Sequence, residues 1–598
     1  MFTVDFEPIG RRGEFSSDQT LLECARQLSV DIVSICGGDG SCERCKVQLV
    51  DGQLSPLTLT EEAVLTTSEQ KQGFRLACMA HPLSDIKLHI PPESLTAPQR
   101  TQVEGLEVDV DPEPPIRSVE VHLTAPKLDS LKDLTQNLWV SLAKEGVRKG
   151  TIDLRVQEVL PEQLTANDWR VSVALRGDEI VAVGAPHTRW LGMAVDIGTT
   201  KIAGYLLDMT TGKTLASKGL MNPQISYGED VIARIVAANK SPAEASRLQA
   251  LLAQALNQLA IDLCAEIKAQ PTDIVEAVVV GNTVIHHLFL GLPVKQLGVS
   301  PFEPATDVAM DVKANELGLE FGSGAYVHLL PIIAGYVGAD HVAVLLATRM
   351  ADTTKSTLAI DIGTNTEICL RHQGTMTSVS CASGPAFEGA HIQFGMRAAP
   401  GAIEHVRWVG ENIEIQTIAG EPPVGICGSG LLDAVAQLRL NEVIDRSGKM
   451  GAHPRIQKKD RMSEFIVFER PGLDPITLSQ KDVRELQMAK AAIRLGIQAL
   501  VESAGLAEMD IEEVVIAGAF GTFIDVESAI TIGMLPDLPL ERFKQVGNAA
   551  GTGARLALIS QSEREKAQQV AQHTGYLELA KVPDFNQKLV EATFFDRS

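Results

Sequence analysis

Two stretches of this chain repeat one short pattern far apart in the sequence. MAVDIGTTKIAGYLL begins at Met193 and LAIDIGTNTEICL begins at Leu358. Each reads as an apolar strand, an Asp-Ile-Gly-Thr turn and a second strand. An internal duplication is the simplest interpretation, and it predicts that the larger part of the chain folds as two related α/β halves.

The residues of the two turns are suited to phosphate chemistry. An aspartate at a strand end can hold hydrated Mg²⁺, a glycine lets the backbone approach a phosphate, and a threonine offers a hydroxyl and an N–H group. A glycine turn between two strands is also an ordinary hairpin, so a purely structural repeat stays open. The candidate nucleotide-binding residues are Asp196, Gly198, Thr199, Thr200, Asp361, Gly363, Thr364 and Asn365, with the two aspartates as candidate catalytic residues.

A dense cysteine pattern, CGGDGSCERC, occupies residues 36–45. Cys36, Cys42 and Cys45 with the distant Cys78 supply the four thiolates that a [2Fe–2S] cluster requires. The intervening glycines suit a loop wrapped around an inorganic core, although the first gap has five residues where the plant-type pattern has four. A zinc site and incidental buried cysteines are the alternatives; zinc sites usually pair two short knuckles, and only one is present.

Composition limits the classes of protein that remain. Hydrophobic residues make up 45% of the 598 residues and charged residues 22%, which is typical of a globular protein of several domains. A formal net charge of −23 without a basic arm argues against nucleic acid as a partner. The sequence contains neither an apolar run that would cross a bilayer nor a signal-peptide pattern. We therefore expect a cytoplasmic protein with no membrane partner.

Changes in texture along the chain predict its domain organisation. A small α+β unit is expected first, then a proline-rich linker that is extended rather than packed, a small α/β middle domain, and a large α/β domain. The predicted boundaries are 1–92, 93–116, 117–188 and 189–598, the last divided into subdomains at about 189–355 and 356–598.

Two local signals within these domains are clear enough to predict single elements. Asp51-Gly52 predicts a hairpin turn after the strand KVQLV. Ser241 as N-cap and Pro242 at the first helical position begin a predicted helix through residue 267, in which leucines recur every three or four residues from Leu248 to Leu263.

The cysteine spacing resembles that of [2Fe–2S] ferredoxins with a C-x5-C-x2-C…C pattern, which implies a β-grasp, ferredoxin-like first domain. The repeated turns, with the later AGAFGTFID, resemble the acetate and sugar kinase, heat-shock and actin superfamily. That resemblance implies an actin-like ATPase domain with duplicated subdomains that binds ATP and Mg²⁺.

Other segments resemble the connecting loops of this superfamily, namely VVVGNTVIHH, SGPAFEGA and GICGSGLLDA. A lysine in ELQMAKAAIRLGI is a further candidate for the nucleotide, with a solvated helix face as the alternative. These segments and AGAFGTFID add the candidate nucleotide-binding residues Gly281, Asn282, Gly384, Gly428, Gly430, Lys490, Gly518, Ala519 and Gly521.

The combination of a ferredoxin domain and an ATP clamp resembles the reductive activators of corrinoid-dependent methyltransferases. The resemblance implies ATP-dependent, one-electron reduction of an inactive Co(II) corrinoid to Co(I). It implies a corrinoid protein, an external low-potential electron donor and a second copy of the chain as partners. The residues that it assigns are Cys36, Cys42, Cys45 and Cys78 to the cluster, and Asp196, Thr199, Asp361, Thr364 and Gly518 to the nucleotide. Because no cysteine follows Cys427, we expect one cluster.

Reduction by this route runs uphill. A plant-type [2Fe–2S] centre lies at roughly −400 mV, the family's acceptor couple is lower still, and each ~59 mV of deficit costs tenfold in a one-electron equilibrium. Two other functions stay open: a small-molecule kinase with a regulatory ferredoxin domain, and a nucleotide-sensing electron carrier that does not need hydrolysis. A requirement for a corrinoid protein in turnover distinguishes the three.

Overall fold

The computed structural model of the chain describes residues 1–596 apart from 8, 29, 31, 33–39, 41–44, 92–93, 95–104, 107, 109, 127–132, 228–229, 390–391, 411, 460–461 and 519. The described strands and helices group into two small N-terminal units followed by two larger lobes. The predicted cluster ligands Cys36 and Cys42 and the predicted nucleotide residue Ala519 lie outside the described residues.

The first unit is a five-stranded sheet with short helices. Its strand order is β2-β1-β5-β3-β4, in which β1 is parallel to β5 and the other neighbouring pairs are antiparallel. Val4 and Phe6 of β1 alternate into the core and are fully buried. The elements are β1 (Phe2–Glu7), β2 (Arg11–Phe15), α1 (Leu21–Gln27), β3 (Lys46–Asp51), α2 (Leu59–Val64), α3 (Thr67–Lys71), β4 (Phe74–Leu76) and β5 (Ile86–His89).

The prediction of a β-hairpin at Asp51-Gly52 is wrong. Gly52 directly follows β3 and has a φ of +95°. However, β3 pairs with β4 and β5 rather than with the residues that follow it directly. The turn instead lies against the start of β5, where a Cβ on Gly52 would approach Asp85 O to 2.2 Å. Turn residues specify where a strand ends, whereas burial of its apolar face selects its partner.

The second unit packs two helices on a four-stranded sheet of order β6-β8-β9-β7. Leu138 and Leu160 are among the buried residues that join the helices to the sheet. Arg176 connects this unit to the first lobe, because its guanidinium lies 3.0 Å from the buried carboxylate of Glu276. The elements are β6 (Ile116–His122), α4 (Leu134–Lys144), β7 (Thr151–Ile152), α5 (Leu154–Ala166), β8 (Arg170–Arg176) and β9 (Glu179–Gly184).

The described part of the acidic segment before β6 packs on the protein, whereas its composition predicted an unpacked linker. Gly105 pairs with Gly547 through a single β-bridge, and Leu106 O accepts a hydrogen bond from Thr552 Oγ1 at 3.0 Å. A Cβ on Gly105 would approach Asn548 O to 2.4 Å. Prolines and charges prevent regular structure in such a segment, but its backbone groups still pair with a neighbouring surface.

The first lobe is built on a six-stranded sheet of order β12-β11-β10-β13-β15-β14, with β10, β13 and β15 parallel. The elements are β10 (Leu191–Ile197), β11 (Lys201–Asp208), β12 (Thr214–Met221), α6 (Val231–Ala238), α7 (Pro242–Ile267), β13 (Ile274–Gly281), α8 (Thr283–Phe289), β14 (Met310–Lys313), β15 (Tyr326–Leu329) and α9 (Ala339–Ala347). Helix α7 follows its N-cap Ser241, which confirms the helix predicted from the leucine periodicity.

The second lobe is built on a six-stranded sheet of order β26-β25-β16-β17-β18-β27 and carries two small three-stranded sheets. Its strands are β16 (Thr357–Ile362), β17 (Thr366–His372), β18 (Thr375–Cys381), β19 (Ala402–Val409), β20 (Asn412–Thr417), β21 (Gly425–Ile426), β22 (Ile456–Lys459), β23 (Met462–Phe468), β24 (Ile476–Ser479), β25 (Glu513–Ala517), β26 (Phe543–Gly547) and β27 (Thr574–Tyr576). Its helices are α10 (Gly428–Leu440), α11 (Gln480–Ser503), α12 (Val526–Thr531), α13 (Ala549–Ile559), α14 (Gln561–His573) and α15 (Phe585–Ala592).

Five strands of each large sheet repeat one topology, which confirms the duplication. In each, a three-stranded meander, β10-β11-β12 or β16-β17-β18, has a strand parallel to its first member, β13 or β25. Between the sheets, α13 from near the end of the chain packs on α9 and β10 of the first lobe. Helices α13 and α14 of the second lobe therefore help to stabilise the first.

One helix of the described residues, α7, is long and apolar enough by length and composition to cross a membrane. Leu252, Leu256, Leu259 and Leu263 on this helix are buried in the core of the first lobe. Core helices of folded domains pass the same test, so the finding is weak support for a membrane span.

Candidate functional site

The two repeated turns face one cavity of about 220 Å³ between the lobes. β10 ends at Ile197 within the first Asp-Ile-Gly-Thr pattern and β16 ends at Ile362 within the second, and the parallel neighbours β13 and β25 end at the same sheet edges. Ligands of α/β sheets bind at such carboxyl ends. The predicted nucleotide residues that line the cavity are Asp196, Gly198, Thr199, Thr200, Asn282, Asp361, Gly363, Thr364, Asn365, Gly428 and Gly518.

Glu388 bridges the two turns directly. One of its carboxylate oxygens accepts a hydrogen bond from Thr200 Oγ1 at 2.7 Å, and the other accepts one from Thr364 Oγ1 at 2.5 Å. Both threonines are buried, whereas Glu388 is partly exposed to the cavity. A single acidic side chain thus connects the hydroxyls that the two lobes offer.

The cavity is strongly acidic. Lys201 and Arg397 are the basic residues of its lining. The carboxylates of the lining belong to Asp196, Asp340, Asp361, Glu367, Glu388 and Glu404. Such an excess of buried negative charge is costly unless protons or cations compensate it.

Burial and mutual repulsion hold protons on several of these carboxylates. Burial raises the pKa of Asp196 to about 6, and a hydrogen bond from Asn548 Nδ2 at 3.0 Å opposes this shift. Burial and the Asp196 charge raise the pKa of Asp340 to about 7. Burial, Asp340 and Asp196 raise the pKa of Asp361 to about 8. A bound cation would favour the ionised form of all three groups.

The donor set of the cavity fits Mg²⁺. Within the described part of the chain, no three histidine, cysteine or acidic side chains stand close enough to hold a metal ion by themselves. Mg²⁺ rarely needs such a cage, because one or two carboxylates, several waters and the phosphates of a ligand complete its octahedron.

Part of the cavity wall is apolar and aromatic. Phe387 and Phe520 stack with ring centroids 4.7 Å apart, and both line the cavity with Phe523. Gly428 allows the start of α10 to pack closely on the backbone of Phe387, because a Cβ at this position would lie 1.9 Å from Phe387 O. Aromatic faces of this kind can stack against a nucleobase.

Two of the four predicted cluster ligands lie side by side in the first unit. The Sγ atoms of Cys45 and Cys78 are 3.4 Å apart, and both residues are buried. Two thiolates on one tetrahedral metal with bonds of about 2.3 Å stand about 3.8 Å apart, so the pair fits a shared iron after a small movement. The neighbouring Cys78 lowers the pKa of Cys45, which favours the thiolate that iron binds.

Comparison with known protein families matches almost the whole chain. A 2Fe-2S iron-sulfur cluster binding domain matches residues 4–83, and the RACo linker region matches residues 105–189. The RACo middle region matches residues 191–353, and the C-terminal domain of RACo, the ASKHA domain, matches residues 355–598. ASKHA denotes acetate and sugar kinases, heat-shock proteins and actin.

Individual relatives extend this result over most of the chain. The corrinoid activation enzyme RamQ of Eubacterium limosum is 37% identical over 417 residues, which are 68% of this chain and 70% of that protein. A solved reductive activator for corrinoid, iron-sulfur protein is 33% identical, with a TM-score of 0.72 over 100% of this chain and 98% of that one. This chain belongs to the RACo family of reductive activators.

A more distant relative of this RACo-family chain is a Co(II) methylated amine-specific corrinoid protein reductase of Methanosarcina barkeri. It is 26% identical over 422 residues, which are 66% of this chain and 75% of that protein. The ferredoxin-like domain and the actin-like domain with duplicated subdomains that the sequence predicted are confirmed. The match to a 2Fe-2S domain also favours the iron–sulfur cluster over the zinc alternative.

Some residues predicted for the nucleotide lie outside the cavity lining of this RACo-family chain. Gly281 and Gly521 lie behind it, where a Cβ would approach Ile197 O to 2.9 Å and Ala517 O to 2.3 Å. They permit close backbone packing rather than ligand contact. The described residues that were predicted to bind the nucleotide but do not line the cavity are Gly281, Gly384, Gly430, Lys490 and Gly521.

Lys490 is buried in α11 against the end of the chain. Its ammonium donates to Phe594 O and lies 5.6 Å from the Phe595 ring centroid. Burial lowers its pKa to about 7. Neither a nucleotide contact nor a solvated helix face describes this position, and we leave Lys490 out of the proposed site.

The polar cavity residues of this RACo-family chain that the sequence predictions missed include Asp340, Glu388, Arg397 and Asn548. A signal for Asp340 existed in the Gly-Ala-Asp at the start of α9, whose Gly338 would place a Cβ 2.6 Å from Gly281 O. Glu388 lies inside the SGPAFEGA segment, of which only Gly384 was predicted to bind the nucleotide. Asn548 is the N-cap of α13, and Arg397 has no local signal.

The ferredoxin domain contacts the wall of this cavity. Arg397 Nη1 donates to Glu7 Oε2 at the end of β1 over 2.8 Å, and both side chains are buried. Arg11 at the start of β2 donates to Val424 O at 2.9 Å. Since Arg397 also lines the cavity, one side chain touches both the ferredoxin-like domain and the candidate nucleotide site.

Proposed function

We propose that this chain uses ATP to drive the one-electron reduction of an inactive Co(II) corrinoid to Co(I), which repairs a methyltransferase system. Membership of the RACo family supports the reductive activation of a corrinoid protein. The observation that carries the ATP requirement is the pair of repeated turns facing one acidic cavity, with Glu388 joined to a threonine of each.

Different residues of the cavity would bind the Mg²⁺ ion, the phosphates and the base of a nucleotide. Asp196 and Asp361 would hold Mg²⁺, which when bound neutralises phosphate charge and orients the phosphates. The hydroxyls of Thr200 and Thr364 would donate to the phosphate oxygens once their hydrogen bonds to Glu388 are broken. The turn glycines allow the backbone N–H groups to approach the same oxygens. The Phe387 and Phe520 faces would take the base.

The ferredoxin domain would supply the electron. When bound, the [2Fe–2S] cluster serves as a one-electron carrier at low potential. Cys45 and Cys78 would hold one of its irons, and Cys36 and Cys42 are proposed for the other. Cys45 and Cys78 are both buried, so they would hold that iron away from water.

Nucleotide can favour an uphill transfer only through a state that it binds better than another. The cavity is lined from both lobes, so ligand contacts differ between an open and a closed arrangement. Hydrolysis then returns the molecule to the open arrangement, because ADP and phosphate no longer join the two turns. Asp196 and Asp361 are the proposed catalytic residues of this step.

The partners remain part of the proposal. A corrinoid protein is the acceptor and an external low-potential protein or reductant is the donor, with two copies of the chain in the working assembly. Among the described residues the cysteines form no disulfide, and we propose a reducing, cytoplasmic location on this ground.

Anaerobic visible spectroscopy tests the proposal. A Co(II) corrinoid protein is mixed with cluster-loaded protein and a chemical reductant, with and without Mg-ATP. We expect the Co(I) band to appear only with Mg-ATP. Asp361→Asn should abolish the nucleotide dependence while keeping the cluster spectrum, whereas Asp352→Asn, at an exposed aspartate in the segment before β16, should behave as wild type.

Two results would contradict the proposal. If Co(I) forms equally well without nucleotide, the result would favour an electron carrier that senses ATP without needing it for electron transfer. ATP-dependent transfer of phosphate to a small molecule, with no response of any corrinoid protein, would favour a kinase.

A further inference from the structure

A line of charged side chains runs from the two turns to the ferredoxin domain. It begins at Glu388, which accepts hydrogen bonds from Thr200 and Thr364. These are the same hydroxyls that phosphate oxygens would use. Glu388 and a triphosphate therefore compete for Thr200 and Thr364, and the carboxylate must find other partners when phosphate takes them.

Arg234 is the first cation behind the turns. It is fully buried, and its guanidinium donates to Thr199 O in the first turn and to Gln224 Oε1 at 3.3 Å. Burial lowers its pKa to about 10, whereas the charges of Glu388, Asp230 and Glu7 act in the opposite direction and that of Arg397 adds to the lowering. The electrostatic environment of Arg234 thus includes both Glu388 and the Glu7–Arg397 pair.

Arg397 is the second cation, and it joins the cavity to the ferredoxin domain. Its Nη1 lies 2.8 Å from Glu7 Oε2, with side chains 4% and 0% exposed respectively. The turn after β1 closes over the same guanidinium, because a Cβ on Gly10 would lie 3.1 Å from Arg397 Nη1. Arg11 supports this contact through hydrogen bonds to Val424 O at 2.9 Å and Met396 Sδ at 3.3 Å.

We propose that Glu388 and Arg397 form a switch by which nucleotide binding releases the ferredoxin domain from the cavity wall. The inference rests on the proposed ATP-dependent function. When phosphates take Thr200 and Thr364, Glu388 turns toward the cations of its own cavity, of which Arg397 is one. Arg397 then shares its charge between Glu388 and Glu7, so the buried ion pair that holds the ferredoxin domain is weakened.

A buried ion pair is suited to such a switch. Removal of one partner from a desolvated pair is far more costly than loss of an exposed pair, because the remaining charge cannot return to water. Once Arg397 is shared, separation of the two surfaces hydrates Glu7, and undocking becomes the favourable response. The cluster-bearing domain would thereby become available to an external protein only in the nucleotide-bound state.

Hydrogen–deuterium exchange of the cluster-loaded full chain tests this switch. Exchange is followed in peptides covering β1 and β2, with and without Mg-AMPPNP, and binding of Mg-AMPPNP is measured separately by calorimetry. We expect exchange in these strands to rise by about an order of magnitude when nucleotide binds. Glu388→Gln should bind the nucleotide but show little rise, because an amide does not compete for Arg397.

Three further variants complete the design. Glu7→Gln should raise exchange in β1 and β2 without nucleotide, and Arg11→Lys gives a second test of docking that leaves the cavity lining unchanged. Glu69→Gln is the matched control: Glu69 belongs to the same domain and pairs with Lys46 at 2.8 Å within it. It should leave exchange in β1 and its nucleotide response as in wild type.

The outcomes separate the switch from the function on which it rests. If wild-type protein does not bind Mg-AMPPNP, the proposed function fails. If it binds the nucleotide and exchange in β1 and β2 stays the same, the switch is wrong. A nucleotide response of Glu388→Gln equal to that of wild type would also overturn the switch, because Glu388 would then have no part in it.

Discussion

Asp361 creates a pH dependence that can be measured without a partner protein. Its pKa rises from 3.8 to about 8 through burial and the charges of Asp340 and Asp196. Between these values the folded chain keeps a proton that the unfolded chain releases. The contribution of Asp361 to the free energy of unfolding therefore falls as the pH rises from about 4 to about 8, by at most about 1.4 kcal/mol per unit of pKa shift.

Urea unfolding of metal-free protein at several pH values checks this expectation. Asp361→Asn has no proton to release, so its free energy of unfolding should fall less steeply over the same range, and Asp352→Asn should follow wild type. Identical slopes for all three proteins would contradict the burial of an ionisable group at this position.

Phe520 provides a test of where the base binds. Stacking of a base on an aromatic side chain is worth about 1–3 kcal/mol. Phe520→Ala should weaken Mg-AMPPNP binding by about 5- to 150-fold, as measured by calorimetry, and Phe520→Trp should restore most of the affinity. Unchanged affinity of the alanine variant would place the base elsewhere in the cavity.

Cys78 tests the cluster in the absence of any nucleotide. Cys78→Ser removes one thiolate of the pair 3.4 Å apart, and we expect loss of most of the visible absorbance of the [2Fe–2S] centre. Cys24 is a fully buried thiol of α1 in the same core, and Cys24→Ala should keep the spectrum. A normal spectrum from Cys78→Ser would remove this residue from the ligand set.

Among the elements, the linker segment around Gly105 has the most testable effect on the cavity. It lies against Asn548 and Thr552 at the start of α13, and Asn548 hydrogen-bonds Asp196. Gly105→Ala would bring a Cβ to 2.4 Å from Asn548 O, so we expect a loss of stability of about 1–3 kcal/mol. Weaker Mg-AMPPNP binding should accompany it, with an unchanged cluster spectrum.

Gly451→Ala is the control for this element, because its Cβ would meet nothing nearer than Val443 O at 3.6 Å. Chemical denaturation and calorimetry on both variants check the prediction. Equal stability and nucleotide affinity would show that the linker can leave α13 without effect on the cavity.

In the whole molecule, nucleotide should join the two lobes into one cooperative unit. A ligand at a concentration of 100 times its Kd adds about 2.7 kcal/mol to stability by mass action. Because the cavity is lined from both lobes, we expect scanning calorimetry with Mg-AMPPNP to show a single, higher transition for them. A shift confined to one lobe would mean that the ligand contacts only that lobe.

Features encoded by neighbouring residues were predictable from the sequence. Helix α7 has its N-cap, its proline and its leucine stripe within one segment, and it forms from Pro242 to Ile267 as expected. The repeated Asp-Ile-Gly-Thr turns each lie between two strands that pair with each other. Local hydrogen bonding and side-chain periodicity specify such elements before any distant contact forms.

Long-range packing accounts for what the sequence left undetermined. Asp340 reaches Asp361 because α9 begins and β16 ends at one cavity, and Arg397 meets Glu7 only because two domains dock. The sequence left Lys490 open between a nucleotide contact and a solvated helix face, and it predicted an unpacked linker around Gly105. Both positions are instead covered by residues far along the chain. Burial and charge pairing depend on which surfaces meet in space, and residue spacing along one segment carries no information about that.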